Sequence, residues 1–112
     1  MDIFAVMNVA QKNHITQQAA ILKALGHPSR LLMVQALADG PLCVCELTAL
    51  VGSEISTVSR HLAQLKHAGV LSDRREGTKI FYRLRAPCVL RFLNCIDSVI
   101  DGDDEQRELS CR

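Results

Sequence analysis

Two cysteines separated by one residue, Cys43 and Cys45, are the side chains of this chain best suited to chemistry. Thiolates are soft donors, so such a pair suits thiophilic ions and disfavours magnesium or calcium. Deep inside a helix, residues i and i+2 point about 200° apart and could not share one ion. Here the pair follows Pro41 and opens an apolar stretch, so Cys43 need not be helical and both sulfurs can converge. The competing reading of a bare Cys-x-Cys is two small buried hydrophobes. A second constellation lies downstream, where Thr57, Arg60, His61 and Gln64 fall within about 100° of arc on a helical wheel. Arg60 can bond guanine or a phosphate, and Gln64 can pair with adenine. Ser56, Thr57, Ser59 and His61 can donate or accept. A third group of cations, Arg74, Arg75, Lys79 and Arg83, is placed to lie along phosphates. The competing reading of the polar stripe is a solvated helix face, and it weakens when stripe and cations are taken together.

These groups need elements to position them. Apolar residues at 3, 4, 6, 7 and 10 give a short helical face over Ile3–Gln11. Ile15, Ala19, Leu22 and Leu25 give a second stripe, stopped by Gly26. Pro28 opens a third helix, where its missing N–H costs nothing, with Leu31, Val34, Leu37 and Ala38 as its core side. Asp39-Gly40-Pro41 ends it. A fourth helix is expected over Val44–Val51, broken by Gly52. A fifth runs from Ser53 or Glu54 to Ala68, with Val58, Leu62 and Leu65 as its core face. After Gly69 the period changes, and 70–75 and 79–84 read as strands joined by a Glu76-Gly77-Thr78 turn. Pro87 opens a last helix to Asp101. Its apolar residues, Val89, Leu90, Phe92, Leu93, Ile96, Val99 and Ile100, cover more surface than one small domain is expected to bury, so a partner helix is expected.

The chain of 112 residues fits one domain, expected over 1–101, followed by a polar tail over 102–112 that is expected to be mobile. Net charge is only +1, but its distribution is uneven. Between Ser53 and Arg85 there are seven Lys or Arg against three acids, and between Asp97 and Glu108 six acids against one Arg. A basic middle suggests one surface built for an anionic partner. The N-terminus has no basic and apolar leader, and no run approaches the roughly 18 apolar residues of a membrane span. A cytoplasmic protein with no membrane partner is expected. Five cysteines, an odd number without a secretion signal, argue against a disulfide framework. No glycine-rich phosphate loop or other enzyme signature is present, so neither an enzyme nor a catalytic cofactor is expected.

The motifs also carry a family resemblance. Ala24-Leu25-Gly26-His27-Pro28-Ser29-Arg30-Leu31, Cys43-Val44-Cys45-Glu46-Leu47, Ser59-Arg60-His61-Leu62, Ala68-Gly69-Val70-Leu71, Arg75-Glu76-Gly77 and Tyr82-Arg83-Leu84 together resemble the ArsR/SmtB family of metal-sensing repressors over roughly residues 20–85. The resemblance implies a mainly α winged helix-turn-helix with a small β-hairpin. It further implies a homodimer that binds double-stranded operator DNA and releases it on binding its ligand. Many members have Ser-Gln-Pro where this chain has Glu54-Ile55-Ser56, so a base contact from that Gln is not carried over. The Cys43–Leu47 run is similar to the arsenic-sensing branch, which implies trivalent arsenic or antimony as inducer. Relatives often place a third cysteine where this chain has Thr48. The zinc branch uses His and carboxylates on the last helix, which here has Asp97 and no His.

A third thiolate is assigned to Cys111 in the tail, because Cys88 and Cys95 lie on one stripe with Phe92 and Val99 and are read as core cysteines. His67 is read as an ordinary surface residue. Two rivals stand beside the metalloid-responsive repressor. One is a thiol-redox or persulfide-responsive repressor on the same scaffold; the other is a winged helix that binds protein partners and no DNA.

Overall fold

The computed structural model describes residues 8–102. Helix α1, Val9–Leu25, starts at a reciprocal cap. The Asn8 side chain accepts from the Gln11 amide at 2.8 Å, and Gln11 Oε1 accepts from the Asn8 amide at 2.9 Å. The two stripes read from the sequence are one helix from Val9 onward, because Lys12-Asn13-His14 holds no breaker between them. The earlier apolar residues Ile3, Phe4, Val6 and Met7 lie outside the described residues. Only Leu25 of α1 is buried, so this helix leans on the domain by its last turn alone.

Helix α2, Pro28–Ala36, has His27 as its N-cap and runs into a 3₁₀ turn over Leu37–Asp39. Met33, Val34 and Leu37 are its buried residues, whereas Leu31 is half-buried and Ala38 exposed. Leu31 packs against the core as expected, and the expected core side was wrong only at Ala38. The chain tightens to three residues per turn after Ala36, which takes Ala38 out of the α-helical phase. Strand β1, Leu42–Cys43, follows, and α3, Val44–Val51, starts directly from it. Gly52 takes the left-handed conformation (φ 76°) that ends α3 and turns the chain into α4, Ile55–His67. Val58, Leu62 and Leu65 are fully buried, as their spacing predicts.

Strands β2, Leu71–Glu76, and β3, Lys79–Leu84, form the hairpin. Glu76 pairs with Lys79, so the turn is only Gly77-Thr78, with Gly77 at φ 61°. The expected two-stranded hairpin is a three-stranded antiparallel sheet of order β1-β3-β2. Leu42 pairs with Tyr82 and Cys43 with Phe81. A two-residue strand is too short to show a period of two, so its sequence carried no signal.

Helix α5, Cys88–Asp101, turns Val89, Leu90 and Leu93 toward the core. Phe92, Ile96, Val99 and Ile100 remain exposed, the last two at 79% and 75%. Among the described residues no helix is long and apolar enough to cross a membrane.

Candidate nucleic-acid interface and thiol site

The pair α3 and α4, joined at Gly52, is the helix-turn-helix, and the β2–β3 hairpin is its wing. Along α4, Ser56, Ser59, Arg60 and Gln64 are exposed, while Thr57 and His61 are half-buried. Arg60 donates to Thr57 Oγ1 at 3.5 Å, one turn back on the same face. Lys66 ties the helix to the wing, with Nζ 3.0 Å from the Asp73 carboxylate. His67 is exposed.

Register sorts the wing cations. Directly paired residues of an antiparallel ladder share a face. Arg74 opposite Phe81, Ser72 opposite Arg83 and Glu76 opposite Lys79 therefore place Arg74, Lys79 and Arg83 on one side. Arg75, opposite Ile80, is on the other side, the one that carries Tyr82. Arg74 also bonds Glu76 Oε1 at 2.6 Å. Both partners are solvated, so the pair contributes little to stability.

The far end of the stripe is held from outside the helix. Arg30, on α2, donates from Nη1 to His61 Nδ1 at 3.0 Å and to Gln64 Oε1 at 2.6 Å. An arginine can only donate, so His61 is neutral with its proton on Nε2. Burial pushes the His61 pKa below the ordinary 6.5, and the nearby charges of His27, Arg30 and Arg60 act in the same direction. The His27 ring lies against that of His61, centroids 4.4 Å apart. His27 Nδ1 accepts the Ser29 amide at 3.1 Å and so caps α2. The sequence motif contained Arg30 and His27, yet their link to α4 spans more than thirty positions and left no local pattern.

The thiol site sits at the junction of sheet and helix-turn-helix. Cys43 ends β1 with extended backbone (φ −79°, ψ 161°) and is the N-cap of α3. That extended residue makes the two sulfurs converge: Cys43 and Cys45 are joined as a disulfide, Cα atoms 5.4 Å apart. Cys43 is 3% exposed, and its sulfur accepts the Glu46 amide at 3.4 Å. Glu46 Oε1 accepts the Cys43 amide in return, at 3.2 Å. Cys45 is exposed. The hydroxyl of Thr48 donates to Val44 O at 2.7 Å and is turned to its own helix.

Among the described residues no group of three or more His, Cys, Asp or Glu is gathered to hold a metal. Cys111 lies outside the described residues. Cys88 is exposed at the start of α5 and Cys95 is half-buried, which corrects the reading of both as core cysteines. Their stripe lies on the helix face that the domain leaves uncovered.

A helix-turn-helix followed by a cationic hairpin defines a winged-helix DNA-binding protein. The chain from His27 to Asp73 matches the model of the bacterial regulatory proteins of the arsR family. It is 33% identical over 105 residues to the biofilm growth-associated repressor of Agrobacterium fabrum, covering 94% of this chain and 90% of that one. It is 40% identical over 87 residues to the arsenic resistance transcriptional regulator ArsR1 of Pseudomonas putida, covering 76% and 67%. Its fold superposes with a TM-score of 0.75 and 30% identity on the homodimeric winged helix-turn-helix DNA-binding domain of a possible ArsR-family transcriptional regulator from Mycobacterium bovis, covering 88% and 92%. The chain belongs to the ArsR family. It is a transcriptional regulator and not an enzyme.

Proposed function

We propose that this ArsR-family repressor binds operator DNA as a homodimer and releases it when the thiolates of Cys43 and Cys45 take up trivalent arsenic or antimony. The observation that carries the reading is the convergence of the two sulfurs at the first residue of α3. Reduced to thiols, they offer a soft donor pair that fits a thiophilic ion. Similarity to an arsenic resistance regulator adds support. Cys111 is the proposed third thiolate, and Cys88 and Cys95 are the alternatives that a test must include.

The DNA interface is proposed to be Ser56, Thr57, Ser59, Arg60, His61 and Gln64 in the major groove, with Arg74, Arg75, Lys79 and Arg83 along the phosphates. The uncovered apolar face of α5 supports a dimer, as does the homodimeric neighbour. As a regulator of transcription it would work in the cytoplasm, where its operator is.

The position of the thiol site explains how ligand reaches DNA. Cys43 belongs at once to β1, which pairs with wing strand β3, and to α3, whose partner is α4. Fixing the backbone there acts on both DNA-contacting elements. If the liganded geometry differs from the DNA-bound one, each ligand weakens the other by the same factor. A coupling of about 1–3 kcal/mol is the usual size.

The rival reading is release by oxidation to the Cys43–Cys45 disulfide. One titration separates the two. Operator release is followed with arsenite, antimonite, cadmium, zinc and peroxide. Release by arsenite or antimonite under reducing conditions supports the first reading. Release by peroxide alone, reversed by reductant, supports the second.

A further inference from the structure

Arg30 stands on the first turn of α2, outside the recognition helix and the wing, yet its guanidinium joins three helices. Besides His61 and Gln64 it reaches the end of α1, with Nε bonded to Ala24 O and Nη2 3.5 Å from Lys23 O. Carbonyls at the end of a helix favour a cation, and of these two Lys23 O also accepts the Gly26 amide at 3.2 Å. Because arginine only donates, each of its four partners must be an acceptor. His61 is therefore held as the Nε2–H tautomer. The Gln64 amide is held with its oxygen toward Arg30 and its nitrogen on the opposite side.

Apart from the exposed Lys66–Asp73 ion pair at its C-terminal end, the other contacts of α4 are of a different kind. Val58, Leu62 and Leu65 hold it to the core by apolar packing, which is non-directional. Packing sets how deep the helix lies. The planar guanidinium adds direction: Nη1 bonds His61 and Gln64, one turn apart on one face, while Nε and Nη2 are fixed to α1.

We infer that Arg30 is the positioning residue of the recognition helix: it hangs His61 and Gln64 from the carbonyl end of α1 and so fixes the rotation of α4 presented to DNA. The inference rests on α4 being the helix that meets operator bases. It makes the carbonyl end of α1, which meets both α2 and α4, the reference against which recognition is set.

The test uses the full-length protein, a duplex that the wild type selects from a random library, and an unrelated duplex of equal length. Arg30→Met removes every donor but keeps the stem. Arg30→Lys keeps the charge but not the fork. Loss of charge-assisted bonds that act only on alignment is expected to lower the ratio of selected to unrelated affinity about tenfold or more in both variants. Affinity for the unrelated duplex should stay within about twofold, since phosphate contacts carry it. Adding Gln64→Ala to Arg30→Met should lower the ratio no further. Either single variant keeping the wild-type ratio overturns the inference, and so does an equal loss on both duplexes, which would mark a general loss of fold. The wild type supplies a second readout through ¹⁵N shifts of its labelled histidines. A neutral Nε2–H His61 with an accepting Nδ1 is expected; the Nδ1–H tautomer overturns the clamp. If the wild type selects no sequence, it is the DNA reading that fails, whatever Arg30 does.

Discussion

Cys43 is placed in two roles, and substitution can separate them. Its sulfur caps α3, and the same sulfur is half of the proposed metalloid site. Cys43→Ala removes both. Losing an N-cap acceptor costs about 1 kcal/mol, in a range of about 0.5–2. Deleting one buried heavy atom adds about 0.8 kcal/mol of lost burial, before any cavity term. Together these give roughly 2 kcal/mol for a residue that is 3% exposed. Cys43→Ser keeps an acceptor in front of the Glu46 amide, and an oxygen is the better one. The Glu46 half of the box survives in both variants. Serine should therefore be the more stable by about 1 kcal/mol, or about 4–8 °C in Tm for a domain of this size. Melting curves followed by circular dichroism measure it, at one protein concentration because a dimer's Tm depends on concentration. A phosphine reductant keeps Cys45 reduced without supplying competing thiols. Both variants should stay on the operator when arsenite is added. Equal melting of the two variants would refute the cap. Normal arsenite release by Cys43→Ser would refute the sensing role, and the two failures are independent.

Other expectations follow from the same geometry. Arg60→Ala should weaken operator binding by about 1–3 kcal/mol and relax preference at one base step, whereas Lys79→Ala should weaken all sequences alike and lower the salt slope by about one. Fluorescence anisotropy across a salt series measures both, and a wild-type slope near zero contradicts the DNA interface. Val99→Glu places a charge on the uncovered face of α5 and should shift a dimer to monomer in light scattering; an unchanged dimer places the interface elsewhere. His61 is neutral in the fold and its pKa is lowered, with His27 and Arg30 facing it from the α2 end and Arg60 on its own helix. The unfolded chain therefore binds the extra proton first. Stability should be full above pH 6.5 and fall as the pH drops below it toward the depressed value. A wild-type urea midpoint no lower at pH 5.5 than at pH 7.5 would count against this.

What the sequence disclosed depended on how local the controlling physics is. The face of α4 was legible because Val58, Leu62 and Leu65 repeat at helical spacing, and burial follows that spacing directly. Convergence of Cys43 and Cys45 was legible because the start of a helix is a local event, marked by Pro41 before it and an apolar run after it. Strand β1 was not, since two residues become a strand only when β3 is already beside them. The cysteines of α5 were misplaced for a related reason. Their apolar stripe is real, but helical period reports only that a face is apolar, not whether its own domain covers it. The Arg30 clamp was the least accessible, because its bonds join positions 31 and 34 residues apart through groups that look solvated in sequence. The polar stripe of α4 therefore has two ends with different constraints. At the Ser56–Arg60 end the side-chain bond within the helix is the long Arg60–Thr57 contact, which leaves this end to the proposed partner. The His61–Gln64 end is already bonded inside the fold, so under the proposed interface what it would offer to DNA is set by Arg30 before DNA arrives.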